Sequence, residues 1–171
     1  LGRSTEMVDS IGIQSEHILR RLPDPERSSF KGKGLVIGYV QSGKTANFTA
    51  VAARAIDAGY RFILLLSGIH NNLRAQTQRR IDRELTGRLL ENESGIDRPE
   101  HGRGWIHLTE RGEYGDFTKT TDVSILEGQQ PIIAVVKKIC PVLIAFLEWL
   151  ESADQNSLSQ TSILIIDDEA D

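Results

Sequence analysis

Residues 34–45 read GLVIGYVQSGKT, an apolar run followed by a glycine-bounded loop. The apolar run, Leu35 to Ile37, is short and partly β-branched, which predicts a buried strand. The loop, Gly38 to Thr45, satisfies the pattern G-x-x-x-x-G-K-[ST] at every constrained position. The residues that follow, Thr45 to Ala58, are rich in alanine and predict a helix that Gly59 ends. Strand, loop and helix in this order predict a loop that binds phosphate groups.

The chemistry of phosphate binding explains the residue types in this loop. Gly38 and Gly43 permit a backbone that points successive N–H groups inward, and the following helix adds the positive end of its dipole. Lys44 supplies a positive charge for the β and γ phosphates, and Thr45 offers a hydroxyl to Mg²⁺. ATP and Mg²⁺ are therefore the predicted cofactors; the alternative is a glycine turn before a helix. The predicted nucleotide contacts are Gly38, Gln41, Ser42, Gly43, Lys44, Thr45 and Ala46.

A second motif lies at the other end of the chain, where the apolar run Ser162 to Ile166 leads directly into acidic residues. Carboxylates at the end of a buried strand are placed to hold Mg²⁺ and to activate water. We assign Asp168 to the Mg²⁺ side and Glu169 to the attacking water, while Asp167 remains an alternative for the metal. This pair favours a hydrolase over a solvated acidic tail. The predicted catalytic residues are Lys44, Asp168 and Glu169, and the predicted metal ligands are Thr45 and Asp168.

Apolar runs and helical patterns alternate along the rest of the chain. Strands are predicted at 62–66, 105–108 and 132–136, and helices at 5–22, 71–85 and 142–150. Residues 86–130 are charged and rich in glycine, which predicts an excursion on the surface. Continuous apolar strands that alternate with helices predict an α/β fold with a mainly parallel sheet flanked by helices. Residues 1–33 are predicted to form an N-terminal helix and connector, and residues 34–171 the nucleotide-binding lobe.

Composition narrows the class of protein. A chain of 171 residues with 39% hydrophobic and 26% charged residues is typical of one globular domain. The net charge of −4 gives no global case for nucleic acid, so such a partner requires local patches. No apolar run approaches the roughly 18 residues of a membrane helix, and no signal peptide is visible, so a cytoplasmic protein without a membrane partner is expected. His17, His101 and His107 lack the spacing of a zinc site.

The two motifs carry a resemblance to a known group of enzymes. GYVQSGKT and the final DEAD string, residues 168–171, resemble motifs I and II of the superfamily-two helicases and translocases. Residues 63–76 lie where those enzymes carry motif Ia, and residues 132–138 lie where they present a further turn to the nucleic-acid backbone. The nucleic-acid contacts implied by this resemblance are His70, Asn71, Arg74, Gln76, Lys137 and Lys138. Arg79, Arg80 and Arg83 are more typical of a solvated helix face.

More narrowly, residues 34–171 resemble the Z-one domain proteins, helicase-like ATPases that carry an endonuclease label and are tied to bacterial DNA restriction or defence. The resemblance implies a three-layer, RecA-like P-loop fold and the first lobe of a DNA-dependent motor that hydrolyses nucleoside triphosphate. The residues themselves show no nuclease constellation. Residues 86–130 are the least diagnostic part of the match.

The chain departs from this pattern after residue 171, where those enzymes continue into motif III and a second RecA-like lobe. The motif III strand normally lies between the strands of motifs I and II. The resemblance therefore implies a lobe truncated after motif II, whose partner is the second lobe and which alone has weak or no hydrolytic activity. Two alternatives remain: a non-motor P-loop switch or kinase-like protein, and an assembly subunit with a vestigial nucleotide site.

Overall fold

The structure, a computed structural model, describes residues 5–37, 44–88 and 104–168. The chain divides into two compact units, Leu1–Gly59 and Tyr60–Asp171. The division follows Gly59, whereas the sequence predicts a boundary after residue 33. The helix before the glycine loop and the helix after it therefore belong to one unit.

The first unit contains two helices that pack against each other, α1 (Thr5–Leu19) and α2 (Lys44–Asp57). α1 ends before Pro23, which lacks the N–H that a helix interior requires. Gly59 follows α2 with a φ of +105°, a left-handed conformation that favours glycine. The predicted helix end at Gly59 is confirmed.

The second unit is built on a four-stranded sheet in the order β2-β3-β1-β4, with every neighbouring pair parallel. Its strands are β1 (Phe62–Ser67), β2 (Ile106–His107), β3 (Ile132–Lys137) and β4 (Ile163–Asp167). β1 lies between β3 and β4, so Leu64 pairs with Ala134 on one side and Ile165 on the other. The continuous apolar runs form strands because both faces of β1 and β3 are buried.

Helices cover the two faces of this sheet. α4 (Cys140–Glu151) packs on the face that carries Phe62 and Val136, where its Phe146 and Trp149 complete an aromatic core. α3 (Asn71–Glu84) packs against β1 and β3, and residue alternation along the strands gives it the opposite face. A short helix, α5 (Gln155–Ser159), precedes β4. The predicted α/β class, with a parallel sheet flanked by helices, is confirmed.

The region predicted as a surface excursion contributes to the core. Leu108, Phe117 and Leu126 are buried in the same cluster as Phe146 and Trp149. A 3-10 helix, Val123–Glu127, carries Leu126 to that cluster. Residues 104–128 therefore differ from the expected solvent-exposed loop, because three apolar side chains within a charged and glycine-rich stretch suffice to anchor it.

The strand predicted at Leu35 to Ile37 is not formed. These residues have no regular secondary structure, and Leu35, Val36 and Ile37 are 76%, 58% and 88% exposed. A strand requires a hydrogen-bonded neighbour, and the four-stranded sheet does not include this run. The resemblance places a further strand between this run and β4, and no described residues supply it. The prediction of a buried strand before the loop is thus wrong for this structure.

No helix within the described ranges has the length and apolar composition needed to cross a membrane.

Candidate nucleotide and backbone-binding site

The carboxyl ends of β1, β3 and β4 meet at one edge of the sheet because the three strands are parallel. Ser67, Lys137 and Asp167 are the last residues of these strands. α3 and α4 both begin just beyond this edge, with their N–H groups and positive dipole ends directed toward it. Several of the predicted site residues in the second unit, among them His70, Lys137 and Asp168, lie at or next to this carboxyl edge.

Asp167 and Asp168 lie at the carboxyl end of β4. Asp167 lies on the α4 face of the sheet, since it pairs in register with Leu66, and its Oδ1 lies 3.2 Å from Lys138 Nζ. The N–H of Asp168 donates to the carbonyl of Leu66 at 2.9 Å, and the chain bends at Asp168, directly after the strand. Asp167 is therefore an ion-pair partner of Lys138, which favours Asp168 for the predicted metal contact.

Lys137 is held from two sides. Its Nζ donates to Asn71 Oδ1 at 2.7 Å and lies 3.6 Å from Asp116 Oδ2, and its side chain is 17% exposed. Asp116 also accepts from the N–H of Phe117 at 2.9 Å. This arrangement joins the start of α3, the end of β3 and the excursion. The sequence did not single out Asp116, whose position in a charged loop gave no signal.

Three of the predicted nucleic-acid contacts, His70, Gln76 and Lys138, are at least partly exposed to solvent. His70 precedes α3 as its N-cap residue, is exposed, and makes no capping hydrogen bond with its side chain. Gln76 is exposed on the same helix, and the side chain of Lys138 is 29% exposed. These side chains remain accessible to a ligand at the carboxyl edge.

Arg74 has a different environment from the predicted one. It is 0% exposed, and its guanidinium donates to the carbonyls of Glu110, Gly112 and Val135 at 2.6 to 3.5 Å. Burial lowers the pKa of Arg74, while nearby Asp116 and Asp82 oppose that effect. A guanidinium enclosed by main-chain acceptors cannot reach a phosphate backbone, so the prediction for Arg74 is corrected.

Arg74 begins a buried polar stripe on α3 that continues at Gln78 and Asp82, both 0% exposed. Gln78 donates to Asp82 at 2.8 Å and accepts from Thr109 at 2.8 Å, and Asp82 also pairs with Arg111. The stripe fixes the excursion to α3. The members of the stripe are four residues apart, so the sequence places them on one face of the helix. Polar residues with this spacing are usually assigned to the solvent side, and their burial was therefore not predicted.

The helix that follows the glycine-bounded loop begins at the lysine of the sequence motif. α2 starts at Lys44, which is exposed, followed by the half-buried Thr45 and the buried Ala46. The carbonyl of Thr45 accepts from Thr49 Oγ1 at 2.8 Å. The predicted contacts Gly38, Gln41, Ser42 and Gly43 and the predicted base Glu169 lie outside the described residues.

α1 reaches the first turn of this helix. Asn47 Nδ2 donates to Gln14 Oε1 at 2.6 Å, and Gln14 Nε2 donates to Ser10 Oγ at 3.2 Å. Asn47 Oδ1 is buried and has no hydrogen-bond partner among the described residues. The sequence did not indicate this contact, because 33 residues separate its members.

The donor types available suit Mg²⁺, which prefers hydroxyl, carboxylate, water and phosphate oxygens. Thr45 provides a hydroxyl and Asp168 a carboxylate. Within the ranges that the structure describes, no three His, Cys, Asp or Glu side chains form a metal-binding group.

Comparisons of the chain with protein-family models, with curated proteins and with solved structures found no match.

Proposed function

We propose that this chain is the ATP-binding lobe of a nucleic-acid motor that hydrolyses nucleoside triphosphate. The observation that carries the proposal is the start of α2 at Lys44, at the end of a complete G-x-x-x-x-G-K-[ST] pattern. A helix N-terminus that directly follows a glycine loop is a favourable site for phosphate. The acids at the carboxyl end of β4 support hydrolysis.

The first turn of α2 binds the triphosphate in this proposal. The exposed ammonium of Lys44 neutralises the β and γ phosphate oxygens, and the N–H groups of Thr45 and Ala46 point toward the anion from the helix end. From the two sequence motifs, the Thr45 hydroxyl and the Asp168 carboxylate are each proposed as a ligand of Mg²⁺, which would neutralise the charge that develops on the phosphates. Glu169 orients the attacking water and accepts its proton.

Nucleic acid binds at the carboxyl edge of the sheet in this proposal. His70, Gln76 and Lys138 are the accessible contacts, and the N–H groups at the start of α3 add a second kind of donor for phosphodiester oxygens. Asn71 and Lys137 already hydrogen-bond to each other, so they contribute less. DNA is the proposed nucleic acid, and a second RecA-like lobe and a role in restriction or defence belong to the same proposal.

Replacement of Lys44 tests the nucleotide site. We expect Lys44→Ala to weaken binding of a fluorescent ATP analogue by about a hundredfold, because it removes the charge that faces two phosphates. The control is Lys31→Ala, which removes an exposed lysine from the irregular segment before the loop. Equal binding by wild type and Lys44→Ala would contradict the proposal.

Stimulation of hydrolysis by DNA distinguishes a motor from a P-loop switch. The protein in its native full length should hydrolyse ATP faster when DNA is added, and Lys138→Ala should raise the DNA concentration needed for half-stimulation. A rate that is constant over all DNA concentrations, with intact ATP binding, would favour the switch.

A further inference from the structure

α1 is tied to the phosphate-loop helix by one side-chain hydrogen bond that the proposed function does not use. Gln14 Oε1 accepts from Asn47 Nδ2 at 2.6 Å. Asn47 is the fourth residue of α2, so the bond holds the turn that starts at Lys44. Gln14 is ten residues into α1, in the middle of a helix that packs along α2.

The orientation of Gln14 is fixed from the other side. Its Nε2 donates to Ser10 Oγ at 3.2 Å, one turn earlier on α1. With the amide nitrogen directed to Ser10, the carbonyl oxygen is left to face Asn47. The Ser10, Gln14 and Asn47 side chains thus form a chain of hydrogen bonds from one helix to the other.

Within the part of the chain that the structure describes, the amide of Asn47 is held by its bond to Gln14, and its Oδ1 is buried without a hydrogen-bond partner. Asparagine is a poor helix former, and the first turn of α2 contains no acidic residue that would stabilise its dipole. The first turn of α2 is therefore a weak helix end that depends on a contact from outside.

We propose that Gln14 is a positioning residue for the first turn of α2, which acts on bound nucleotide through Asn47. The inference rests on the proposed function, because it assigns a purpose to the rigidity of a turn that faces phosphate. Helix ends fray, and a frayed first turn scatters the N–H groups of Lys44 to Ala46. The bond from α1 keeps those groups aligned before the anion arrives, which lowers the ordering that binding requires.

The test is a double-mutant cycle on the protein in its native full length. Gln14→Met keeps the side-chain length and removes the acceptor, and Asn47→Val removes the donor while keeping a similar helix propensity. Each variant should weaken binding of a fluorescent ATP analogue by about fivefold, the effect of one neutral hydrogen bond. The double variant should bind like either single variant, because both changes break the same contact.

Hydrogen exchange gives a readout without nucleotide. The amides of residues 48–50 donate to the carbonyls of the first turn and should exchange faster in Gln14→Met than in wild type, while those of residues 54–57 should be unchanged. Arg20→Gln is the control, since Arg20 directly follows α1 and the change removes only its exposed pair with Glu16. It should leave both nucleotide binding and exchange at the wild-type level.

The outcomes separate the two proposals. If wild type binds the analogue and Gln14→Met binds it equally well, or if the two single effects add in the double variant, the positioning role is refuted while the nucleotide site stands. If wild type and Lys44→Ala bind equally, the proposed function fails and the role of Gln14 fails with it.

Discussion

Arg74 donates to main-chain carbonyls from a fully buried position, so its contribution is to stability. Arg74→Met should lower the free energy of unfolding by about 3 kcal/mol, because the carbonyls of Glu110 and Gly112 lose their donors. Urea unfolding measures this change. Arg79→Met, an exposed position on the same helix, should change it by less than about 0.5 kcal/mol. Similar small effects for both variants would contradict the anchoring role.

His107 makes stability depend on pH. Burial lowers its pKa, opposed by the Asp82 and Glu110 carboxylates and assisted by Arg88 and Arg111. The unfolded chain keeps the ordinary histidine pKa of about 6.5, so it binds the proton more readily than the folded protein. Stability from this group is complete above that value and is lost as the pH falls below it.

Thermal unfolding between pH 5.5 and 7.5 checks this dependence. The melting temperature of wild type should fall toward the acidic end, and His107→Gln should reduce the slope. His17→Gln provides the control, because His17 is exposed on α1. An unaltered slope in His107→Gln would assign the pH dependence to other groups.

At the scale of the element, substitution by alanine should have opposite effects on stability at two glycines of the first unit. Gly12 lies within α1, and a Cβ there would meet only Arg54 Nη2 at 3.9 Å, so Gly12→Ala should stabilise by about 0.5 to 1 kcal/mol. Gly59 has a φ of +105°, and a Cβ would meet Pro25 Cγ at 3.3 Å. Gly59→Ala should destabilise by about 1 kcal/mol. Chemical unfolding of both variants should give shifts of opposite sign.

The sequence predicts an element when the signal is contained within that element. The apolar runs that became β1, β3 and β4 are continuous, and each has a partner in the sheet. Leu35 to Ile37 carries the same signal without a hydrogen-bonded neighbour, so pattern alone predicts a strand that pairing does not provide. The burial of the polar stripe of α3 was not predicted for a different reason, because it depends on hydrogen-bond partners from the excursion, the carbonyl of Glu110 and the hydroxyl of Thr109.

The prediction of the candidate site from the sequence has the same limit. The start of α2 at Lys44 and the placement of Asp168 after β4 follow from local motifs. The pairing of Lys138 with Asp167 and of Gln14 with Asn47 joins residues 29 and 33 positions apart, and no local pattern specifies such contacts. Sequence reasoning therefore identifies the groups that meet a ligand better than the groups that hold them in place.

At the scale of the whole molecule, one edge of the sheet bears on the proposed function. Among the described strands β4 lies at the end of the sheet, and Ile165 on it is 58% exposed. Parallel strands are normally covered on both faces, and an edge strand can pair with a further strand. Under the proposed function, the strand of motif III would pair with β4 at this edge.

The dependence of nucleotide binding on Mg²⁺ tests which of the two carboxylates at the end of β4, Asp167 or Asp168, is the metal ligand. Asp168→Asn should lose most of the gain in affinity for a fluorescent ATP analogue that Mg²⁺ provides, about tenfold or more, since it removes the proposed carboxylate ligand. Asp167→Asn is the matched control: its carboxylate pairs with Lys138 on the α4 face, so the Mg²⁺ effect should persist. The exposed pair contributes less than about 1 kcal/mol to stability, so Asp167→Asn should remain folded. Loss of the Mg²⁺ effect in Asp167→Asn alone would reverse the assignment and make Asp167 the metal ligand.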